Sequence, residues 1–260
     1  MENLFSLEGR TALITGGSRG IGEMIAEGYL RAGAKVYISS RKAEDCFATA
    51  ERLAQFGECI ALPEDVSGAD GAKRLAEKFL SHESKLDILV NNAGAAWGAP
   101  LEEFPESGWD KVMDLNVKSP FFLAQALLGA LKAASSPEQP AKIINIASID
   151  GQSVSMMQTY SYAASKSGLI HLTKRMALEL APQNIIVSAI APGAFASKMN
   201  KVARDHADAV AEHIPSRRIG APEDMAGAAI FLASRAGDYV VGSTLTVDGG
   251  VVHTLSLIHI

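Results

Sequence analysis

The strongest constraint on the fold is an alternation that runs the length of the chain. Short apolar runs recur at 11–15, 35–39, 59–62, 87–90, 142–147, 185–190 and 244–247. Between them lie stretches of helical periodicity at 21–32, 43–56, 69–80, 109–134, 160–181 and 222–233. Most of the short runs are continuously apolar, as strands covered on both faces require. Parallel strands also need crossover connections of this length. Gly33 and Gly57 sit where two of the helices should stop, and Pro222 suits a first helical turn. Pro120 falls inside the 109–134 stretch and predicts a kink or break there. The pattern predicts an α/β fold: a doubly wound parallel sheet of about seven strands with helices on both faces. No linker and no repeat divides it, so residues 1–254 are expected to form one domain.

Composition removes several classes of function. The chain has 260 residues, 48% of them hydrophobic, with 24 basic and 29 acidic residues mixed along its length. A net charge of −5 without basic clusters predicts no nucleic-acid and no membrane-surface partner. No apolar run is long enough to span a membrane. Met1-Glu-Asn-Leu-Phe5 lacks the regions of a signal peptide. The two cysteines, Cys46 and Cys59, lack metal-type spacing, so a reducing cytoplasm is expected. Residues 255–260 match one reading frame of a transposon end used in preparing sequencing libraries. They are read as a non-native scar, against the alternative of an extension packing on a neighbouring subunit.

The first strand runs into Thr15-Gly-Gly-Ser-Arg-Gly-Ile-Gly22 and then into a helix. Gly16, Gly20 and Gly22 allow close backbone approach. Ser18, Arg19 and Ile21 lie between them at a helix start, where amides and dipole suit a pyrophosphate. This predicts a Rossmann-type dinucleotide site. After the second strand an NAD-preferring fold places an acid for the ribose hydroxyl, but here the chain reads Ser39-Ser40-Arg41. Ser40 and Arg41, with Arg19 as a second cation, favour the 2′-phosphate of NADP(H) over NAD(H). Asp65, after the third strand, can accept from an adenine amino group, beside Val66. Asn92, Ala93 and Gly94, after the fourth, face the same crevice or simply stabilise a turn.

Tyr162 and Lys166 stand four apart in a helical stretch, one turn apart on one face. A phenol near its reference pKa of about 10 is a poor base at neutral pH, and a neighbouring ammonium favours its phenolate. Tyr160 competes as the phenol, but four residues on from it is Ala164. His171, His206 and His213 lack carboxylates at metal spacing, and no metal is expected.

The ordered set Thr15-Gly16-x-x-x-Gly20-x-Gly22, Asn92-Ala93-Gly94, Asn116, Ser148, Tyr162-x-x-x-Lys166 and Pro192-Gly193 resembles that of the short-chain dehydrogenases/reductases. Within that family the chain looks most similar to the NADPH-dependent β-ketoacyl reductases, through stretches such as Trp97-Gly98-Ala99 and Ser107-Gly108-Trp109. The resemblance spans about Leu7 to Gly250.

It implies that Tyr162 exchanges a proton with the substrate and that Ser148 bonds the carbonyl oxygen. Lys166 would hold the nicotinamide ribose and lower the phenol pKa. Asn116 would hold a water in a relay to Lys166. Asp65 and Val66 would flank the adenine. Ile190, Pro192 and Gly193 would border the nicotinamide, and Ser197, where threonine is common, would bond its carboxamide. The implied assembly is a homotetramer paired through the helices at 109–134 and 160–181.

Trp97, Val154, Met156, Met157, Phe195 and Met199 would give the substrate a mainly apolar, adaptable wall. The expected reaction interconverts a carbonyl and a secondary alcohol, with a 3-oxoacyl thioester as substrate. The alternatives are the same chemistry on a small ketone, polyol or sugar acid, and a nucleotide-sensing protein without turnover.

Overall fold

The computed structural model describes residues 3–197 and 200–254. Its centre is a seven-stranded parallel sheet. In chain order the strands are β1 (Thr11–Thr15), β2 (Lys35–Ser39), β3 (Cys59–Ala61), β4 (Ile88–Asn91), β5 (Ala141–Ile146), β6 (Ile185–Pro192) and β7 (Thr244–Val247). Their spatial order is β3-β2-β1-β4-β5-β6-β7. The chain leaves β1 in one direction to build β2 and β3, then returns to β1's other side to start β4. That reversal opens a crevice beyond the carboxyl ends of β1 and β4, where ligands bind in folds of this kind.

Two cores cover the sheet. Within β1 the pleat sends Ala12 and Ile14 to one face and Leu13 to the other. The first face is closed by α1 (Gly20–Arg31), α2 (Ala43–Leu53) and α10 (Pro222–Ala233). The second is closed by α3 (Gly68–Leu80), α5 (Ser119–Ala126) and α7 (Tyr160–Leu180). The helices α1 and α10 approach closely because Gly28 has no side chain: a Cβ there would lie 2.6 Å from that of Ala226. Tyr29, fully buried between them, donates its hydroxyl to the Ala229 carbonyl at 3.2 Å.

The expected long helix from 109 to 134 is built differently. It starts earlier, as α4 (Glu106–Met113), passes through a π-turn at Asp114–Lys118 into α5, and breaks at Leu127 before α6 (Leu128–Ala134). Pro120 has no N–H to return to the carbonyl of Asn116, four residues back. The Ser119 N–H reaches the Asp114 carbonyl five residues back instead. The residue at the centre of that π-turn is Asn116.

Other differences are at boundaries. The 3₁₀ turn Ala54–Phe56 finishes the helix expected to end at Phe56. β6 runs on to Pro192, because Ala191 and Pro192 pair with Thr246 and Val247 of β7. Beyond β6 come the short helices α8 (Lys201–Asp205) and α9 (Ala207–Ala211), and after β7 a final turn, α11 (Val251–Thr254). No helix among the described residues is long and apolar enough to cross a membrane. Residues 255–260 and Met199 lie outside the described residues.

Candidate active site

The crevice is floored by the glycine turn after β1. Gly16 and Gly20 have φ of +66° and +57°, a region that disfavours any Cβ. A Cβ on Gly16 would also lie 2.7 Å from the Asn92 Nδ2, and one on Gly22 would strike the Gly16 carbonyl oxygen. Asn92 therefore acts first on the turn itself, donating Nδ2 to the carbonyls of Thr15 (2.8 Å) and Gly16 (3.1 Å). Thr15 completes the clamp. Its Oγ1 accepts from the amides of Asn92 and Ala93, both at 3.0 Å. That role of Thr15 was not legible in the sequence, because it depends on β1 and β4 being neighbours although 77 residues separate Thr15 from Asn92.

The cradle fits a dinucleotide with an extra phosphate. The α1 amides open onto it, with Arg19 as the residue preceding the helix. Arg19 and Arg41 are exposed, and among the described residues neither has an ion-pair partner. Glu64, just past the end of the neighbouring strand β3, is occupied by Arg74 (3.0 Å) and Lys78 (2.8 Å). Ser18 is fixed by the Thr49 hydroxyl on its carbonyl at 3.0 Å, and the Ser40 hydroxyl turns to the Lys42 carbonyl at 3.3 Å. Asp65 is exposed and accepts from the amide and hydroxyl of Ser67 at 3.0 and 2.7 Å, while Val66 is buried beside it. Ser197 stands across the crevice: a Cβ on Gly20 would lie 3.2 Å from its Cβ. Gly193 packs flush on Asp248 and donates its N–H to the Val247 carbonyl at 3.0 Å.

Ser148, Tyr162, Lys166 and Asn116 converge beyond β5. Ser148 stands two residues past the end of β5 and is buried. Tyr162 opens α7, and its phenol is hydrogen-bonded to the Ser148 hydroxyl. Lys166 is one turn on, only 4% exposed, with Nζ donating to the Ile146 carbonyl at 2.7 Å and lying 5.5 Å from the Tyr162 ring centroid. Asn116 is locked by three bonds. Its Oδ1 accepts from the Ala95 amide (2.8 Å), and its Nδ2 donates to the Ala95 carbonyl (2.9 Å) and the Ser165 hydroxyl (3.0 Å). Gly94 connects the two halves of the site, for a Cβ there would lie 3.3 Å from Asn116 Oδ1 and 3.7 Å from Lys166 Nζ. Gly151 is a second contact that sequence reasoning missed. A Cβ on it would lie 2.7 Å from the Lys166 carbonyl carbon, so the turn carrying Ser148 presses directly on the backbone of α7.

Electrostatics correct one expectation. Lys166 was expected to lower the phenol pKa. Instead the Tyr162 phenol is held above its ordinary value, chiefly by burial and further by the Asp150 carboxylate, with the Ser148 hydroxyl pulling the other way. The reason is that Lys166 turns its ammonium to the Ile146 carbonyl rather than to the phenol, while burial disfavours the phenolate. Burial also pushes Lys166 down, to about 8. The result is a protonated phenol beside a hydroxyl donor, an arrangement that can give a proton and a hydrogen bond to one oxygen atom.

The residues expected to line the substrate differ among themselves. Trp97 lies against α4, since a Cβ on Gly108 would meet its ring at 2.7 Å, and Lys111 Nζ sits 5.2 Å from the ring centroid. Val154, Met156 and Met157 are exposed on the loop before α7. Phe195 does not line the cleft as expected: it is 2% exposed and belongs to the core. Its backbone bridges to Gly220, and the missing side chain there makes room for the ring. Tyr160 packs edge-on against Phe104, with centroids 5.7 Å apart.

Comparisons with known proteins agree with this fold. A family model described as enoyl-(acyl carrier protein) reductase matches residues 16–252. The chain is 50% identical to the rhamnolipids biosynthesis 3-oxoacyl-[acyl-carrier-protein] reductase of Pseudomonas aeruginosa, over 96% of this chain and 99% of the relative. It is 39% identical to a 2-dehydro-3-deoxy-D-gluconate 5-dehydrogenase of Dickeya dadantii, over 95% of this chain and 97% of the other. Among solved structures, the Pseudomonas aeruginosa RhlG/NADP active-site complex superposes with a TM-score of 0.93 at 49% identity, covering 96% of this chain and 99% of that one. A Burkholderia cenocepacia gluconate 5-dehydrogenase in complex with NADP and tartrate reaches 0.89 at 35% identity, covering 97% and 99%. Matched along nearly its whole length by the family model, by a 50% identical relative and by a superposing structure, the chain belongs to the short-chain dehydrogenase/reductase family.

Proposed function

We propose that the protein is an NADP(H)-dependent oxidoreductase that reduces the 3-oxo group of an acyl thioester to a secondary alcohol. The observation that carries the chemistry is the joint placement of a buried serine hydroxyl and a raised, protonated phenol at one point beyond β5. The substrate class is supported by the 50% identical reductase of 3-oxoacyl groups, a higher identity than the gluconate dehydrogenases show. NADPH is supported by the unpaired Arg19 and Arg41, by the occupied Glu64, and by relatives solved with NADP.

Bound NADPH supplies the hydride. Arg41 and Arg19 would hold the doubly charged 2′-phosphate, which a neutral ribose hydroxyl would not replace. The α1 amides would receive the pyrophosphate, with no Cβ at Gly16, Gly20 or Gly22 to keep it away. Ser148 donates its hydroxyl hydrogen to the substrate carbonyl oxygen and stabilises negative charge as it develops there. Tyr162 gives that oxygen its proton. The Lys166 ammonium, anchored at Ile146, would hold ribose hydroxyls, and Tyr162 would regain its proton from solvent. Asn116, fixed on Ala95 and Ser165, keeps the approach to Lys166 polar beside Gly94.

A homotetramer belongs to the same reading. Trp109 on α4 and Phe121 on α5 are apolar and exposed, which supports pairing of these helices between subunits; light scattering tests it. The function is tested by following NADPH consumption with acetoacetyl thioesters against a panel of small ketones and sugar acids. Faster turnover of a sugar acid would replace the acyl reading. NADPH binding without turnover of any compound would leave a nucleotide sensor.

A further inference from the structure

Most of the carboxylates drawn into this protein are paired. Asp87 meets Arg10, Asp238 meets Lys142, Glu64 meets Arg74 and Lys78, and Asp248 accepts from the amides of Gly250 and Val252. Asp150 is the exception inside the candidate active site. It is half-buried, yet among the described residues its carboxylate accepts no hydrogen bond and forms no ion pair. A desolvated, unpartnered charge is unfavourable and easily removed by substitution, so its presence at this place asks for a reason.

Its position is fixed by the backbone. The Asp150 amide donates to Ser148 Oγ at 3.2 Å, within the tight turn that Gly151 closes onto the Ser148 carbonyl at 3.0 Å. The same turn is pinned to α7 by Gly151 against Lys166 and by the Ser167 hydroxyl on the Gly151 carbonyl at 3.0 Å. Ser148 Oγ in turn meets the Tyr162 hydroxyl, and the Asp150 charge is felt at that phenol. A carbonyl placed on Ser148 and Tyr162 would therefore lie beside the turn that carries this carboxylate. Lys166, the buried cation of the site, is engaged elsewhere, on the Ile146 carbonyl at 2.7 Å. The neighbouring Gln152 is turned to Thr246, whose hydroxyl meets its Oε1 at 2.9 Å, with the His253 ring beyond at 3.4 Å.

We propose that Asp150 is a specificity determinant that repels substrates carrying a carboxylate close to the reacting carbonyl, so that the cleft takes acyl thioesters and rejects the corresponding free keto acids. The proposal rests on the acyl-thioester reading above and deepens it. A free 3-oxo acid and its thioester have the same shape around the ketone and differ by one charge two carbons away. In a cleft screened from water, like charges at that separation interact far more strongly than in solution. The phosphates of a thioester carrier lie at the far end of a long arm, beyond a Debye length of about 8–10 Å, and are not penalised. Free gluconates, which carry their own carboxylate, are disfavoured by the same charge.

The test compares acetoacetate with its N-acetylcysteamine thioester, a neutral short mimic, in the wild type and in Asp150→Asn. The wild type should prefer the thioester, and that preference should shrink as salt is raised. Asp150→Asn should raise the ratio of kcat/KM for acetoacetate to that for the thioester about tenfold or more, the size expected when one like-charge contact is removed, whatever common change the lost effect on Tyr162 brings to both substrates. Asp150→Glu, which keeps the charge, should keep the discrimination and serves if the asparagine variant does not fold. Equal changes for both substrates would make Asp150 a tuner of Tyr162 and overturn the filter. A wild type that reduces acetoacetate as fast as the thioester overturns it directly, while the acyl reading survives. A wild type that reduces neither overturns that reading, and the filter with it.

Discussion

At the scale of single residues, the site is governed by two side chains whose pKa values burial moves in opposite chemical senses. Tyr162 is held protonated, ready to act as an acid, and Lys166 is lowered to about 8. Tyr162→Phe removes the proton donor and little else, so kcat should fall by about 10²–10⁴ while NADPH affinity, read by fluorescence titration, stays near normal. The lysine fixes the alkaline side of the pH profile. Lys166 acts as an ammonium, so kcat/KM for NADPH should fall as pH rises through about 8. Lys166→Arg, which stays charged, should have a lower rate and no limb near 8; a limb that persists belongs to another group. For stability the sign is the reverse. Folding disfavours protonated Lys166, so the unfolded chain binds more protons between about 8 and the usual 10.5, and stability rises with pH across that window. Arg41 gives the cofactor test. A charge-assisted bond to phosphate contributes about 1.5–3 kcal/mol, so Arg41→Ala should weaken NADPH roughly ten- to a hundredfold and NADH hardly at all. Equal losses would place the phosphate elsewhere.

At the scale of elements, catalytic geometry depends on two pieces of backbone being flush. Ser148 hangs from β5 and Tyr162 from α7, and the turn at Ile149–Gly151, with the Lys166 bond to the Ile146 carbonyl, holds them in register. Gly151→Ala would put a methyl 2.7 Å from the Lys166 carbonyl carbon, backbone against backbone, where neither side can yield. It should destabilise the fold by about 1–3 kcal/mol in urea denaturation. It should also lower kcat out of proportion, by moving Ser148 off the phenol. A variant with reduced stability but full kcat would show that the turn is not what sets that distance. This contact marks the border of what the sequence discloses. Strand and helix existence was legible, because apolar runs and glycine stops are local patterns: β1, β2, β7 and α10 lie where periodicity puts them. The one-turn spacing of Tyr162 and Lys166 is local too. The π-turn at Asn116 was visible only as a proline, since the alternative hydrogen bond depends on which helix packs there. Phe195 was misplaced for a similar reason: nothing near it in sequence reveals that Gly220 leaves a space for its ring.

At the scale of the whole molecule, chemistry and stability occupy opposite ends of the sheet. The site lies beyond the carboxyl ends of the strands. At the amino ends is a buried ionic network that no sequence pattern announced. Lys142 of β5, only 1% exposed, pairs with Asp238, which also takes Arg235 at 3.0 Å. Arg10 bonds the Pro140 carbonyl at 2.7 Å and stands 3.6 Å from Asp87, whose other oxygen accepts the Thr11 amide at 2.9 Å. The network ties the entries of β1, β4 and β5 to the loop before β7, joining segments up to 130 residues apart in the chain. Burial lowers the Lys142 pKa, Asp238 opposes that, and Arg10 and Arg235 add to it. Asp238→Asn removes the one favourable partner and leaves an ammonium buried among cations. The loss should be about 3–5 kcal/mol at neutral pH, measured by urea denaturation at fixed protein concentration. Because only the charged lysine is penalised, the loss should shrink as pH rises and Lys142 gives up its proton in the folded state. Lys142→Met in the same background, which removes the stranded charge, should restore much of the stability. The folded fraction of both variants should keep the kcat of the parent, since no residue of the network reaches the crevice. A fall in kcat that parallels the fall in stability would mean that the two ends of the sheet are mechanically coupled, and that β5 transmits a shift at Lys142 to Ser148.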